Sequence, residues 1–467
     1  MSRQRTLVIV GAGFSGTLVA ANLLKSQHWA ATHIVLIERS ASIARGKAYA
    51  ERSYPYLLNV PASRMSADPN APLDFLSFAQ HRIPEATAED FLPRALYGQY
   101  LETILLDAEV SAAPHVQFER LKADVCGIEP AGNAGYRVQL ADGRYMDADD
   151  VVLALGNPGP ADLPGTENLQ HHYTSDPWAH PLTFAPNETV LLIGAGLTMV
   201  DVATAAAASS KEQIVIHAIS RHGLLPPSQT QFSHAACKGD SSAILRAASF
   251  SALTLLRSVR ELAEQTERRG GDWREAVTFI RNIAPALWQR LPAREKRRML
   301  RHIRPYWDVH RHRLPSETLA KLDRLRERQK LHVHAGRLLS FETVGDKVRV
   351  TWRARGSSET QTMLVDRVIN CTGPDYNIRR SHDPLMRSLL SQGLAVPDPL
   401  NLGLRTGSYG AVIDAQGRAA ANLFYVGPML RADHWEATAA HELRGHAERL
   451  AGYLSAPVGR LRAAATA

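Results

Sequence analysis

Cysteine is scarce in this sequence: Cys126, Cys237 and Cys371 stand far apart, and no C-x-x-C pair occurs. A dithiol relay needs two neighbouring thiols, so a disulfide reductase is disfavoured. Long apolar runs are missing too. The first, from Leu7 to Val10, is broken by Gly11 and Gly13, too early for a signal peptide. No stretch approaches the roughly 18 apolar residues of a membrane span. The cytoplasm is therefore the expected location, without a membrane partner. What is present, 45% hydrophobic and 21% charged residues over 467, fits ordinary globular structure and allows about two to three domains. The net charge of +8 could attract nucleic acid, yet it suits equally a protein that holds two pyrophosphate-bearing cofactors.

Residues 6–10 form a short β-branched run. Gly11-Ala12-Gly13-Phe14-Ser15-Gly16 follows, then a helical pattern over 17–25. Strand, glycine turn and helix in this order form a dinucleotide fingerprint. Gly11 permits the tight turn, Gly13 lets a pyrophosphate reach the backbone, and Gly16 lets helix and strand pack closely. The helix N-terminus then attracts the phosphates. A second strand, 34–37, ends at Glu38-Arg39, and Glu38 stands about 20 residues beyond Gly16, where a carboxylate can bind ribose hydroxyls.

The device recurs. Thr189–Ile193 reads as a strand, followed by Gly194-Ala195-Gly196-Leu197-Thr198-Met199 and a helical stretch over 200–208. Met199 replaces the third glycine, which loosens helix–strand packing but spares the turn. The next strand, 214–219, ends not in an acid but in Ser220-Arg221-His222-Gly223. A carboxylate there would repel a 2′-phosphate, whereas Arg221 can pair with one at about 1.5–3 kcal/mol. Arg221 thus favours NADPH over NADH in the second site.

A further repetition joins residues 149–158 to 366–374. In each, an apolar strand follows a hairpin and runs into a glycine: Ala154-Leu155-Gly156 in the first, Cys371-Thr372-Gly373 in the second. Glycine suits close contact with a ligand. Two homologous halves are implied.

Together these segments resemble the two-dinucleotide-binding flavoproteins, and more narrowly the bacterial FAD/NAD(P)-binding proteins related to flavin-dependent N-hydroxylating monooxygenases. The narrower likeness rests on Gly46-Lys47-Ala48-Tyr49, 57–61 with Asn59 and Val60, Met65, Asp74-Phe75, 93–100, 307–313 and 435–439. It implies FAD on the first glycine turn, with Val125 and the 154–156 segment nearby, and Asn59 and Met65 beside the flavin ring. Asn59 is the catalytic candidate. It also implies that a strand at 423–426 with Gly427-Pro428 leads to a helix from about 436, so that Glu436 and Thr438 approach the flavin pyrimidine edge, where the helix dipole can stabilise negative charge. The F-x-G-x-x-x-H signature of flavin monooxygenases is absent; His171, His172, Tyr173, Thr174 and Trp178 occupy that stretch.

Residues 224–330 interrupt the nucleotide-domain pattern with helical segments at 243–264, 273–290 and 294–304. Between Arg290 and Arg313 lie nine arginines and lysines with only Glu295 and Asp308 opposing them. A solvated face and contact with a small anion remain open readings; nucleic acid is not expected. His302, His310 and His312 lack the cysteine or carboxylates that would complete a zinc site, so no metal is expected. His310 or His312 could move protons at neutral pH, and Cys371 reads as packing.

The expected architecture is α/β, with two Rossmann-like domains: an FAD domain from 1–186 and 366–467, and an NADPH domain at 187–365 containing the helical insertion 224–330. The resemblance implies hydride transfer from NADPH to flavin, then oxygenation of a nitrogen or sulfur of a small molecule, such as an amine or amino acid, through a C4a-(hydro)peroxide. The rival readings are an NADPH-dependent flavin reductase or oxidase, and a non-catalytic flavin redox sensor. No oligomeric state is implied.

Overall fold

The computed structural model describes residues 4–26, 32–132, 135–230 and 235–456. The chain forms two compact units: one from 1–51, 60–158 and 376–467, the other from 52–59 and 159–375.

In the first unit a six-stranded sheet runs in the order Ala411–Ile413, Ala419–Tyr425, Asp150–Leu153, Arg5–Val10, Thr32–Glu38, Val116–Lys122. Its central strands are parallel and almost wholly apolar, because helices cover both faces of such a sheet. Helix Phe14–Lys25 buries Leu18, Val19, Leu23 and Leu24 and packs between helices Arg94–Val110 and Ala440–Ser455. A three-stranded antiparallel sheet, 125–148, lies beneath helix Pro384–Ser391, whose Leu385, Met386 and Leu389 join the core of Val138, Val151 and Leu423.

In the second unit a seven-stranded sheet runs Thr360–Val365, Lys347–Ala354, Leu331–Val344, Val215–Ser220, Thr189–Ile193, Arg367–Asn370, Tyr173–Thr174. Strand Arg367–Asn370 pairs in parallel with Thr189–Ile193, as Asp150–Leu153 pairs with Arg5–Val10. The duplication extends to single hydrogen bonds. The Thr6 N–H donates to the Asp149 carboxylate at 2.8 Å, and the Thr189 N–H donates to Asp366 at 2.7 Å. Burial acts to raise the Asp366 pKa, but hydrogen bonds from Lys347 and the Thr189 N–H prevail and hold it below the usual carboxylate range.

Because Tyr173–Thr174 and Arg367–Asn370 hydrogen-bond into the second sheet, residues 159–186 and 366–375 group with that unit, whereas the sequence assigned them to the FAD domain. The helical insertion comprises Ser241–Phe250, Ala252–Arg268, Trp273–Arg290, Ala293–Arg298 and Arg304–Arg311. The helix expected over 243–264 is broken at Ser251, whose extended backbone ends one helix while its hydroxyl accepts from the Thr254 N–H and caps the next. The segment 294–304 passes through a π-helical turn at Met299–Ile303. Among the described residues no helix is long and apolar enough to cross a membrane.

Candidate dinucleotide sites

The first glycine turn is built by overlap avoidance. Gly11 has φ +100°, and a Cβ there would collide with the Ala154 carbonyl oxygen; a Cβ on Gly16 would collide with the Gly11 carbonyl oxygen. The Gly11 N–H donates to the Ile37 carbonyl at 2.8 Å, fixing the turn between its two parallel strands. Gly13 caps helix Phe14–Lys25 without a side-chain hydrogen bond among the described residues, so the N–H groups of Phe14, Ser15 and Gly16 open onto the turn. Gly46 comes against the Cα of Gly13, and the Ala44 N–H donates to the Ala12 carbonyl at 2.7 Å. Two bare glycines thus face each other where the phosphates of a dinucleotide are expected.

Glu38 closes this cradle. One carboxylate oxygen accepts the Ala12 N–H at 2.8 Å and the other accepts the Ser40 N–H at 3.0 Å. Arg39 instead pairs with Asp383 at 3.7 Å. Lys47 and Ala48 are exposed, while Tyr49 enters an aromatic cluster with Phe14 and Tyr97. Tyr97 also meets Phe75 and Tyr100, so the 93–100 segment is largely explained as the packing partner of the turn. Tyr100 donates to Asp74 at 2.7 Å and accepts from the Ala67 N–H at 2.8 Å. The Tyr97 hydroxyl, fully buried and pushed up in pKa by that burial, has no hydrogen-bond partner among the described residues. Arg45 anchors the loop through a two-point ion pair with Glu102 at 2.7 and 2.9 Å.

Leu155 packs on the core, Gly156 is left-handed with open space beside it, and Val125 is buried at the start of its strand. Met65 is buried in the first unit, where Val60 also lies; Asn59 groups with the second. Gly427 has φ +146°, and Pro428 begins a buried 3-10 turn. Glu436 and Thr438 precede helix Ala440–Ser455 rather than forming its first turn: the Thr438 N–H donates to the Glu436 carbonyl at 2.6 Å, and Glu436 is buried. Arg431, absent from the sequence-based candidates, lies buried over the rings of Tyr376 and Trp435 at 4.8 and 4.6 Å.

The second turn repeats the first. Gly194 has φ +121°, a Cβ there would strike the Cys371 carbonyl oxygen, and its N–H donates to the Ile219 carbonyl at 2.8 Å. Gly196 caps helix Leu197–Ser209 with no side-chain bond among the described residues, leaving the N–H groups of Leu197 and Thr198 open. Met199 is fully buried in the core of this unit. Thr372 is held by the Asn370 side chain, and Gly373 is left-handed with open space around it. Burial raises the Cys371 thiol pKa, in keeping with a packing role. Ser220 accepts the Gly223 N–H at 3.0 Å, which tightens the turn that carries Arg221 and His222. His310 stacks edge-on against Trp273 and bonds the Tyr306 carbonyl.

A parallel sheet with a glycine turn and an open helix N-terminus, present once in each unit, defines a two-dinucleotide-binding α/β protein. Residues 8–158 match the family described as FAD-NAD(P)-binding. The whole chain shares its fold with reduced ornithine hydroxylase from Pseudomonas aeruginosa (15% identity, 97% of this chain and 99% of that one, TM-score 0.61). It shares it also with the ornithine N-hydroxylase of a Kutzneria species, solved with reduced FAD, NADP+ and L-ornithine (16% identity, 96% and 98%, TM-score 0.59). In sequence, a monooxygenase of Penicillium ochrochloron is 24% identical over 220 residues, 45% of this chain. The match spans only 34% of that relative's length.

Proposed function

We propose that the protein is an FAD- and NADPH-dependent monooxygenase that hydroxylates the nitrogen of a small amine or amino acid. The observation that carries this reading is the pair of glycine turns, each opening an uncapped helix N-terminus, within a fold shared end to end with ornithine hydroxylases. The residues fit the cofactors. The helix N-termini behind Gly13 and Gly196 carry no side-chain cap, and Gly156 and Gly373 are left-handed with open space beside them, which leaves room for a ligand at each turn. Phe14, Ser15 and Gly16 would offer N–H groups to the FAD phosphates, with Glu38 at the ribose; Leu197 and Thr198 would do the same for NADPH, with Arg221 at its 2′-phosphate.

When bound, FAD supplies the redox and oxygen chemistry. The chain's own part is binding, orientation and exclusion of water. The overall balance is amine, O2, NADPH and a proton to hydroxylamine, water and NADP+. The test is single-turnover oxidation of NADPH under 18O2 with a panel of amines and amino acids. One labelled oxygen in product per NADPH is expected. Hydrogen peroxide formed in full yield whichever amine is added would replace this reading by an NADPH oxidase.

A further inference from the structure

The sequence puts Arg221 and His222 at the end of strand Val215–Ser220, and the fold brings a further arginine there from far along the chain. Strand Leu331–Val344 pairs in parallel with Val215–Ser220 as far as Ser220 opposite Ala335, then turns back through the hairpin to Ala354. Arg355 is the next residue. Its N–H donates to the Ala335 carbonyl at 2.9 Å, which sets it level with the strand end. Its guanidinium Nη1 donates to His222 Nδ1 at 2.8 Å. Nδ1 therefore accepts, and the ring proton sits on Nε2, free to donate.

We propose that Arg355, His222 and Arg221 form one phosphate-binding site, in which Arg355 contributes to recognition of the 2′-phosphate of NADPH as directly as Arg221 does. This rests on the NADPH reading above. Every group in the set is a donor, as a phosphate dianion requires. Among the described residues no carboxylate pairs with Arg221 or Arg355, nor with the neighbouring cross-strand pair Arg337 and Arg353. Elsewhere on the same hairpin the cations are neutralised, Arg349 by Glu342 and Lys347 by Asp366, both at 2.8 Å. Burial, Arg355 and Arg221, in that order, lower the His222 pKa, as expected of a ring held among uncompensated positive charges. The Tyr306 ring flanks His222 at 5.4 Å and limits its orientation. The turn itself is stiff: Gly223 is left-handed and packs on Ala335, where a Cβ would come within 3.0 Å of the Ala335 Cβ.

The test is titration calorimetry of the flavin-loaded enzyme with 2′,5′-ADP and with 5′-AMP, for the natural protein, Arg355→Gln, Arg221→Gln and the control Arg349→Gln. The natural protein and the control should prefer 2′,5′-ADP. Each of the two site variants should weaken 2′,5′-ADP by about tenfold or more and 5′-AMP by less than about twofold. An unchanged preference in Arg355→Gln with a reduced one in Arg221→Gln overturns the role of Arg355 and leaves the NADPH reading standing. No preference in the natural protein overturns both. Equal loss of the two nucleotides in Arg355→Gln shows that the residue supports the adenosine pocket or the fold, and also defeats the proposal.

Discussion

Gly196→Ala separates what a glycine does for the fold from what it does for a ligand. Gly194, two residues earlier, cannot bear a side chain, since its Cβ would strike the Cys371 carbonyl and its φ is +121°. Gly196 is different: its backbone is extended (φ −89°, ψ −165°), and a Cβ there meets nothing within 4 Å. Alanine at a helix N-cap costs about 0.5–1 kcal/mol relative to glycine. Reduced freedom of the unfolded chain returns roughly 0.4–1 kcal/mol, so stability should stay within about 0.5 kcal/mol of the natural protein. On the proposed reading, however, the new methyl projects into the space that the NADPH pyrophosphate would occupy. Losing one charge-assisted hydrogen bond to the Leu197 or Thr198 N–H costs about 1.5–3 kcal/mol, a drop in NADPH affinity of about 10- to 150-fold. Thermal denaturation and calorimetric titration with NADP+ on one preparation read both quantities. Unchanged affinity at unchanged Tm would refute the placement of phosphates at this turn.

Glu38→Gln should weaken FAD retention about tenfold by loosening the Ala12 and Ser40 N–H groups as well as the ribose contact, measured by flavin absorbance after gel filtration. Tyr97→Phe removes a buried hydroxyl without a partner among the described residues, so the protein should gain about 1 kcal/mol, read as a higher denaturant midpoint. Gly16→Ala should lower Tm by several degrees and shed flavin, because the added methyl overlaps the Gly11 carbonyl; Met199→Gly in the second repeat should cost about 3–5 kcal/mol by opening a cavity and should leave flavin bound. Acid should destabilise the second unit through His217, whose pKa is lowered to about 4 by burial, then by His334 and His332. Its folded pKa lies below the ordinary value of 6.5, so the unfolded chain binds the proton first, and stability present above about pH 6.5 is lost as pH falls toward 4. After allowance for solvent screening at this half-buried ring the loss is roughly 1–2 kcal/mol. Denaturant midpoints at pH 7 and 5 should differ less in His217→Gln; an equal difference would refute the assignment.

Both glycine turns were legible in the sequence because phosphate approach and strand–helix contact demand a side chain of zero size at fixed intervals. The hairpins were legible through turn residues and alternation. The unit boundaries were not. Whether Arg367–Asn370 joins the first sheet or the second depends on a pairing with Thr189–Ile193, nearly two hundred residues away, to which local pattern is blind. The break at Ser251 sits inside a continuous apolar periodicity, and only its Ser-x-x-Thr capping pattern marks it. The helix expected from 436 begins at Ala440, since buried Glu436 belongs to a turn whose carbonyls bond back onto themselves. Arg355 carries no local signal at all: it is one exposed arginine in a basic hairpin until the strand pairing sets it beside His222.

The two halves show where function diverges within a repeated scaffold. What they share is the framework of the turn: an Asp carboxylate on the first strand's Thr N–H, a carbonyl beneath the first glycine, an open helix end. On the proposed reading these contacts shape the phosphate site and are blind to what is attached to the phosphate. What they do not share lies at the end of the second strand, Glu38 in one half and Arg221 with His222 and Arg355 in the other. A carboxylate there accepts from ribose hydroxyls and repels a 2′-phosphate, whereas an arginine pair attracts one. On the proposed reading, the sign of charge at this one strand end disfavours a 2′-phosphate in the first half and favours it in the second, with the backbone turn alike in both.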